Sequence, residues 1–180
     1  GKTAKCIDEI AAKTPDNTTV GLCREFERRY YNHKAGLFVY GDPSGKQQDT
    51  RTDKGFNDYT IIMSELEKYH PIERVDNKNP PVVMRGNFIN TIFDKGFSGI
   101  NVLFSDKCTY MINDLIFGKE ASDGTKLKEK IKVDGVQYEK YFHHADTMDY
   151  FLCEAFVSEF EEYQHGSSPT TRSYGANPTN

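Results

Sequence analysis

Three aspartates stand where carboxylate chemistry would need them. Asp42 follows the apolar run Gly36-Leu37-Phe38-Val39-Tyr40, Asp76 follows Pro71-Ile72-Glu73-Arg74-Val75, and Asp146 opens the last amphipathic stretch, just after His143. Carboxylates are hard oxygen donors suited to Mg²⁺ and Mn²⁺, and two such ions about 4 Å apart clamp the attacking water and the departing oxygen of a phosphodiester. Acids gathered in this way repel one another and call for a cation. Each also has a plainer reading. Asp42 suits a turn before Pro43, or a phospho-acceptor at a strand end. Asp76 starts a turn or caps the helix that follows Pro81. Asp146 sits where an acid favours a helix dipole. His143 and His144 read as a solvated loop pair, or, through His143, as a metal ligand on the face of Asp146.

Other chemistry is weaker. Gly41–Lys46 tempts a phosphate-loop reading, but only three residues separate Gly41 from Gly45 and Gln47 follows Lys46; the motif needs four residues there and Ser or Thr after Lys. Lys126, Lys128, Lys130 and Lys132 alternate with Leu127, Glu129 and Ile131, as on one wet edge of a hairpin. They read equally as a solvated face or as phosphate contacts. Cys6, Cys23, Cys108 and Cys153 include no C-x-x-C pair, which argues against a zinc ribbon and for free, mostly buried thiols.

The elements that must position these groups follow from the apolar pattern. Gly36–Tyr40 reads as a buried strand ending in a turn. Asp58–Tyr69 reads as a helix behind an Asn57/Asp58 cap, with a strand over Tyr59–Met63 as the alternative. Pro71–Asp76 and Ile100–Phe104 read as strands. Val82–Lys95 and Asp106–Phe117 read as helices, and Ala145–Tyr163 as one long amphipathic helix. Ile131–Val133 and Val136–Tyr138 flank Asp134-Gly135 as a hairpin. Before Ala35, the spacing of Cys6, Ile7, Ile10 and Ala11 suggests a helix, and Leu22–Tyr31 another. The division is then lead-in helices over 1–34, a main domain over 35–163 and a polar, disordered tail over 164–180. Strands alternating with helices argue for an α/β domain with a partly parallel sheet, whose sites gather at the carboxyl ends of strands.

The chain has 180 residues, 28% of them charged, and a formal net charge of −4, enough for one domain with a real core. No apolar run approaches the ~20 residues of a membrane span, and no charged-then-apolar leader opens the chain, so neither a membrane anchor nor a signal peptide is expected. The charge is uneven: residues 145–163 carry six acids and no Lys or Arg, whereas residues 119–140 carry six Lys and five acids. The overall balance does not point to nonspecific nucleic-acid binding, yet a basic loop facing DNA beside an acidic metal site is compatible with it.

An ordered set of residues resembles a known family. Tyr40-Gly41-Asp42-Pro43-Ser44-Gly45, Asp58-Tyr59-x-Ile61-Ile62, Asn79-Pro80-Pro81-Val82 with Arg85, Asp106-Lys107-Cys108 and His143-x-x-Asp146-x-x-x-Tyr150 are similar to the C-terminal nuclease domain of the large terminase subunit of tailed bacteriophages. The resemblance covers about residues 35–160 and includes no ATPase motif. It implies a ribonuclease H-like fold, a central mixed sheet with flanking helices. It implies a metal-dependent endonuclease that cuts concatemeric double-stranded DNA during genome packaging, with Asp42, Asp76 and Asp146 holding two Mg²⁺ or Mn²⁺ ions. His143 would assist, and Lys126, Lys128, Lys130 and Lys132 would touch the DNA backbone. Asp149, one turn from Asp146, could substitute as a ligand. The implied partners of the full-length protein are the portal and the small terminase subunit, in the host cytoplasm during phage assembly and not in the mature virion. The short segment 46–57 departs from the family pattern, which expects an antiparallel hairpin there. A junction-resolving nuclease of the same fold, a catalytically silent DNA- or portal-binding module and a receiver-like switch on Asp42 are the rival readings.

Overall fold

A computed structural model describes residues 1–47, 56–94, 99–133 and 135–166. The chain is mixed α/β, with strands β1 (Lys2–Cys6), β2 (Leu37–Val39), β3 (Pro71–Glu73), β4 (Ile100–Phe104), β5 (Lys130–Val133) and β6 (Val136–Glu139). Its helices are α1 (Thr19–Arg29), α2 (Asp58–Glu65), α3 (Val82–Phe93), α4 (Thr109–Phe117), α5 (His143–Ala155) and α6 (Val157–Gly166). Among the described residues the strands form three two-stranded sheets: β1 with β4 and β2 with β3, both parallel, and the antiparallel hairpin β5–β6. The single central mixed sheet is therefore not what these residues build. No helix of the described residues is long and apolar enough to cross a membrane.

The helix expected around Cys6–Ala11 is absent. Lys2–Cys6 is a strand, and residues 7–13 are neither helix nor strand. The burial of β1 peaks at Ala4, which points into the main core while β4 supplies the hydrogen-bonding partner. A partner 98 positions away in register, Lys2 against Ile100, decides the conformation, and the helical spacing of four apolar residues cannot compete with it. The first strand thus belongs to the same core as Phe88, Ile92, Met111, Leu152 and Phe160. A second cluster, Cys23, Leu66 and Tyr69 with Phe26, Leu37 and Ile62, joins α1, α2 and β2.

Helix α2 begins as expected, in a capping box: Asn57 accepts from the Thr60 N–H at 2.9 Å, and Thr60 Oγ1 accepts from the Asn57 N–H at 2.8 Å. The stretch expected as one helix from Ala145 to Tyr163 is two, because Phe156 leaves the helical region at φ −119°. The bend lets Phe160 and Tyr163 wrap the buried Phe88 ring, at centroid distances of 5.0 and 5.5 Å, which a straight helix would carry past it. The turn glycines Gly124 and Gly135 have φ of +81° and +83°, as the Asp-Gly pairs suggested. The tail over 167–180, the close of the α3 stretch at Gly96 and most of the polar segment at 48–55 lie outside the described residues. Residues 164–166, expected in that tail, belong to α6.

Candidate functional site

Asp42 lies just past β2 and Asp76 just past β3, so the parallel pairing of the two strands carries both acids to one end of that ribbon. The Asp42 loop is tied down closely. Tyr59 donates its hydroxyl to the Asp42 carbonyl at 2.7 Å, and a Cβ at Gly41 would collide with that hydroxyl. The Asp42 carboxylate accepts from the Ser44 N–H at 2.8 Å, Asn79 Nδ2 at 2.9 Å and the Tyr150 hydroxyl at 2.8 Å. Burial alone would raise its pKa, but these three donors outweigh it and hold the group below the ordinary carboxylate value. Asp76 is exposed and accepts from the following Asn77 N–H at 2.6 Å. Lys46 pins the same loop, pairing with Glu73 at 2.9 Å and donating to the Val75 carbonyl at 2.8 Å.

Helix α5 supplies the other acids on one stripe. Asp146, Tyr150 and Glu154 recur at four-residue intervals, so they share a face. Tyr150 is the common neighbour. Burial first, then the hydrogen bond to Asp42, pushes its phenol up to about 12, with the charges of Asp42 and Asp146 adding to the effect. A small cavity is lined by Gly41 and Pro43 on either side of Asp42, together with Asp76, Arg85, Tyr150 and Glu154. Burial and the negative charge of Asp76 raise the Glu154 pKa.

Asp149, only 2% exposed, faces a different neighbour. Lys126 Nζ stands 2.6 Å from Asp149 and 2.8 Å from Asp146, and Lys128 approaches Asp146 at 3.8 Å and Glu139 at 3.0 Å. Burial raises the Asp149 pKa more than Lys126 lowers it. Lys126 and Lys128 precede β5 and turn to carboxylates, so only Lys130 and Lys132 stand on the expected hairpin edge, both exposed. Beyond Lys126 and Asp149 lies a cavity of about 210 Å³, walled also by Ile89, Phe142 and Met148.

The start of α5 sets the register of all these groups. Asp114 of α4 accepts from the His144 and Ala145 N–H groups at 2.9 and 3.2 Å, capping α5 from outside. Phe142, before the helix, has φ +84° and is buried. Its ring lies so close to Gly118 that a Cβ there would collide with it. His143 is exposed at the first position of α5, and His144 stacks on Tyr110 at 5.3 Å.

Arg85 is 3% exposed, and its Nε and Nη1 have no hydrogen-bond partner among the described residues. Its guanidinium lies 4.6 Å from the Tyr150 ring centroid, a cation–π contact that also fixes the ring whose hydroxyl holds Asp42. In the sequence Asn79, Arg85 and Tyr150 stand only within the family-like pattern, with no role of their own; the four-residue step from Asp146 to Tyr150 is the signal that points to Tyr150. Nothing in the sequence pairs Lys126 with Asp149.

Carboxylates are the donors a hard divalent cation takes, and here the cation between Asp146 and Asp149 is the Lys126 ammonium. Among the described residues, no three His, Cys, Asp or Glu side chains gather closely enough to hold one ion. No family model matches the chain, and neither a curated protein nor a solved structure matches it.

Proposed function

We propose that this chain is a divalent-metal-dependent DNA endonuclease domain of the phage terminase large-subunit kind, acting on concatemeric double-stranded DNA from a mixed α/β framework. One observation carries the reading: the Tyr150 hydroxyl joins Asp42, at the end of a parallel strand pair, to the α5 face that bears Asp146. A hydroxyl from the helix that bears Asp146 thereby reaches the strand-end carboxylate of Asp42. Asp42, Asp76 and Asp146 would hold Mg²⁺ or Mn²⁺, with Asp149 behind Asp146; the ions would supply a nucleophilic water and stabilise the departing 3′ oxygen. The protein's own part is orientation. Tyr150, Asn79 and the Ser44 N–H keep Asp42 ionised and aimed. Lys126 pairs with Asp146 and Asp149 and must yield its place to a dication. His143 is exposed beside Asp146 and free to order a water. Lys130 and Lys132 offer backbone phosphate contacts. In the full-length protein the portal and the small terminase subunit would be its partners, in the host cytoplasm during assembly.

The test is cleavage of plasmid DNA with Mn²⁺ or Mg²⁺, and none with EDTA. Asp42→Asn and Asp146→Asn are each expected to abolish cutting, and Asp149→Asn to leave part of it. Robust cutting by Asp42→Asn would remove the reading. A second reading has one observation in its favour: Lys126 already neutralises two of the acids, as in a catalytically silent DNA- or portal-binding module. DNA binding by wild type with no cleavage in either metal would select it.

A further inference from the structure

Cys6 is the last residue of β1, and Cys108 is the residue before α4. Their sulfurs are 3.5 Å apart although 102 positions separate them in the chain. The approach is built by the backbone. Ser105 donates its N–H to the Cys6 carbonyl at 2.8 Å, and Cys108 donates its N–H to the Ser105 carbonyl at 3.0 Å. The Cys108 thiol also points at the Cys6 carbonyl, at 3.5 Å. Glu9, shortly after Cys6, accepts from the Tyr110 and Met111 N–H groups at 2.8 and 2.9 Å and so caps α4. Cys6 and Cys108 are thus held face to face from both sides. Cys23 and Cys153 are buried and have no thiol neighbour among the described residues.

We infer that Cys6 and Cys108 are a dithiol modification site, closed to an intramolecular disulfide by a small-molecule disulfide of the glutathione type. A disulfide needs its sulfurs about 2.05 Å apart, so each side chain has to move by less than an ångström. Access sets the order of steps. Cys6 is half-buried and Cys108 fully buried, so the Cys6 thiolate attacks the oxidant. That step forms a Cys6–S–S–R mixed disulfide and expels RS⁻. The Cys108 thiolate then attacks the Cys6 sulfur and expels the second RS⁻. The two thiol protons end on the two RS⁻ groups; the oxidant is reduced by two electrons and the dithiol oxidised by two.

Burial, followed by the Cys108 thiol and the charges of Glu9 and Asp8, pushes Cys6 up to about 12. The pair therefore stays reduced in neutral buffer without an oxidant and reacts slowly even with one. Closure ties β1 to the start of α4 across a loop of 102 residues. Restricting a loop of that size in the unfolded chain shifts thermal unfolding up by roughly 10 °C.

The whole chain, folded, is incubated with glutathione disulfide in mildly alkaline buffer, quenched in acid, alkylated and mapped without reduction. The expected result is one linked peptide pair joining Cys6 to Cys108, lighter by two hydrogens. Cys23 and Cys153 should remain alkylated, and the rise in melting temperature should be reversed by dithiothreitol. Cys6→Ser should give no link. Should that variant fail to fold, the wild-type peptide map decides alone. A stable glutathione adduct on Cys6, pairing through Cys23 or Cys153, a link that forms only in urea, or four unreacted thiols would each overturn the inference.

Discussion

The Lys126 ammonium is what permits two neighbouring carboxylates on α5 to coexist, one of them almost wholly buried. Removing one partner of a buried pair leaves the other's desolvation uncompensated. Lys126→Ala is therefore expected to destabilise the protein by on the order of 3 kcal/mol at neutral pH, measured by urea unfolding. The sign of the pH effect follows from Asp149. Its folded pKa is raised, so its charge weighs against the fold above that pKa, and the penalty fades as pH falls through it. The loss in Lys126→Ala should accordingly shrink on acidification; a loss that grew instead would show that Asp149 is not the group left exposed to it. Asp42 behaves in the opposite sense. Its lowered pKa contributes stability above the unfolded carboxylate value that disappears as pH drops through the folded one. The sequence made Asp42, Asp146 and Asp149 legible as acids near strand and helix ends. It did not make legible which cation each meets, because Lys126 reaches α5 only through the folding of the loop ahead of the hairpin.

Helix α5 is the element that aligns Asp146, Tyr150 and Glu154, and its start is fixed from α4. Asp114→Ala removes the acceptor for two N–H groups at once, with an expected cost of about 1–2 kcal/mol. Hydrogen exchange should show the first turn of α5 opening while α3 stays protected. Equal loss of protection throughout would mean that Asp114 supports the whole core rather than this cap. The amphipathic pattern made both α3 and α5 readable, since Phe88, Ile92, Met148 and Leu152 recur at helical spacing and are buried. The break at Phe156 was not readable. It depends on where Phe88 lies, and no local propensity at Phe156-Val157 demands it. The capping box at Asn57 was readable because all its donors and acceptors are local.

At the scale of the whole molecule, β1 is integral to the core. A chain beginning at Ala35, the boundary that composition suggests, lacks the strand paired with β4 and the Ala4 side chain packed in the main cluster. It also lacks α1, which carries Cys23 into the second cluster. It is expected to show no cooperative thermal transition by circular dichroism, whereas the full chain does; a sharp transition in the shortened chain would make residues 1–34 peripheral after all. The class, mixed α/β, was legible from alternating strand and helix patterns. The pairing of β1 was hidden because its partner is distant, and the same distance has a temporal meaning. On the ribosome, at about 5–20 residues per second, the strand at Lys2–Cys6 is made roughly 5–20 s before Ile100–Phe104 exists. During that interval its backbone donors and acceptors have no native neighbour, and strand-like segments in that condition are what holding chaperones capture. Once Phe104 has emerged, the last strand of the parallel pair completes the first, so the earliest-made segment of this sequence is among the later ones to find its place.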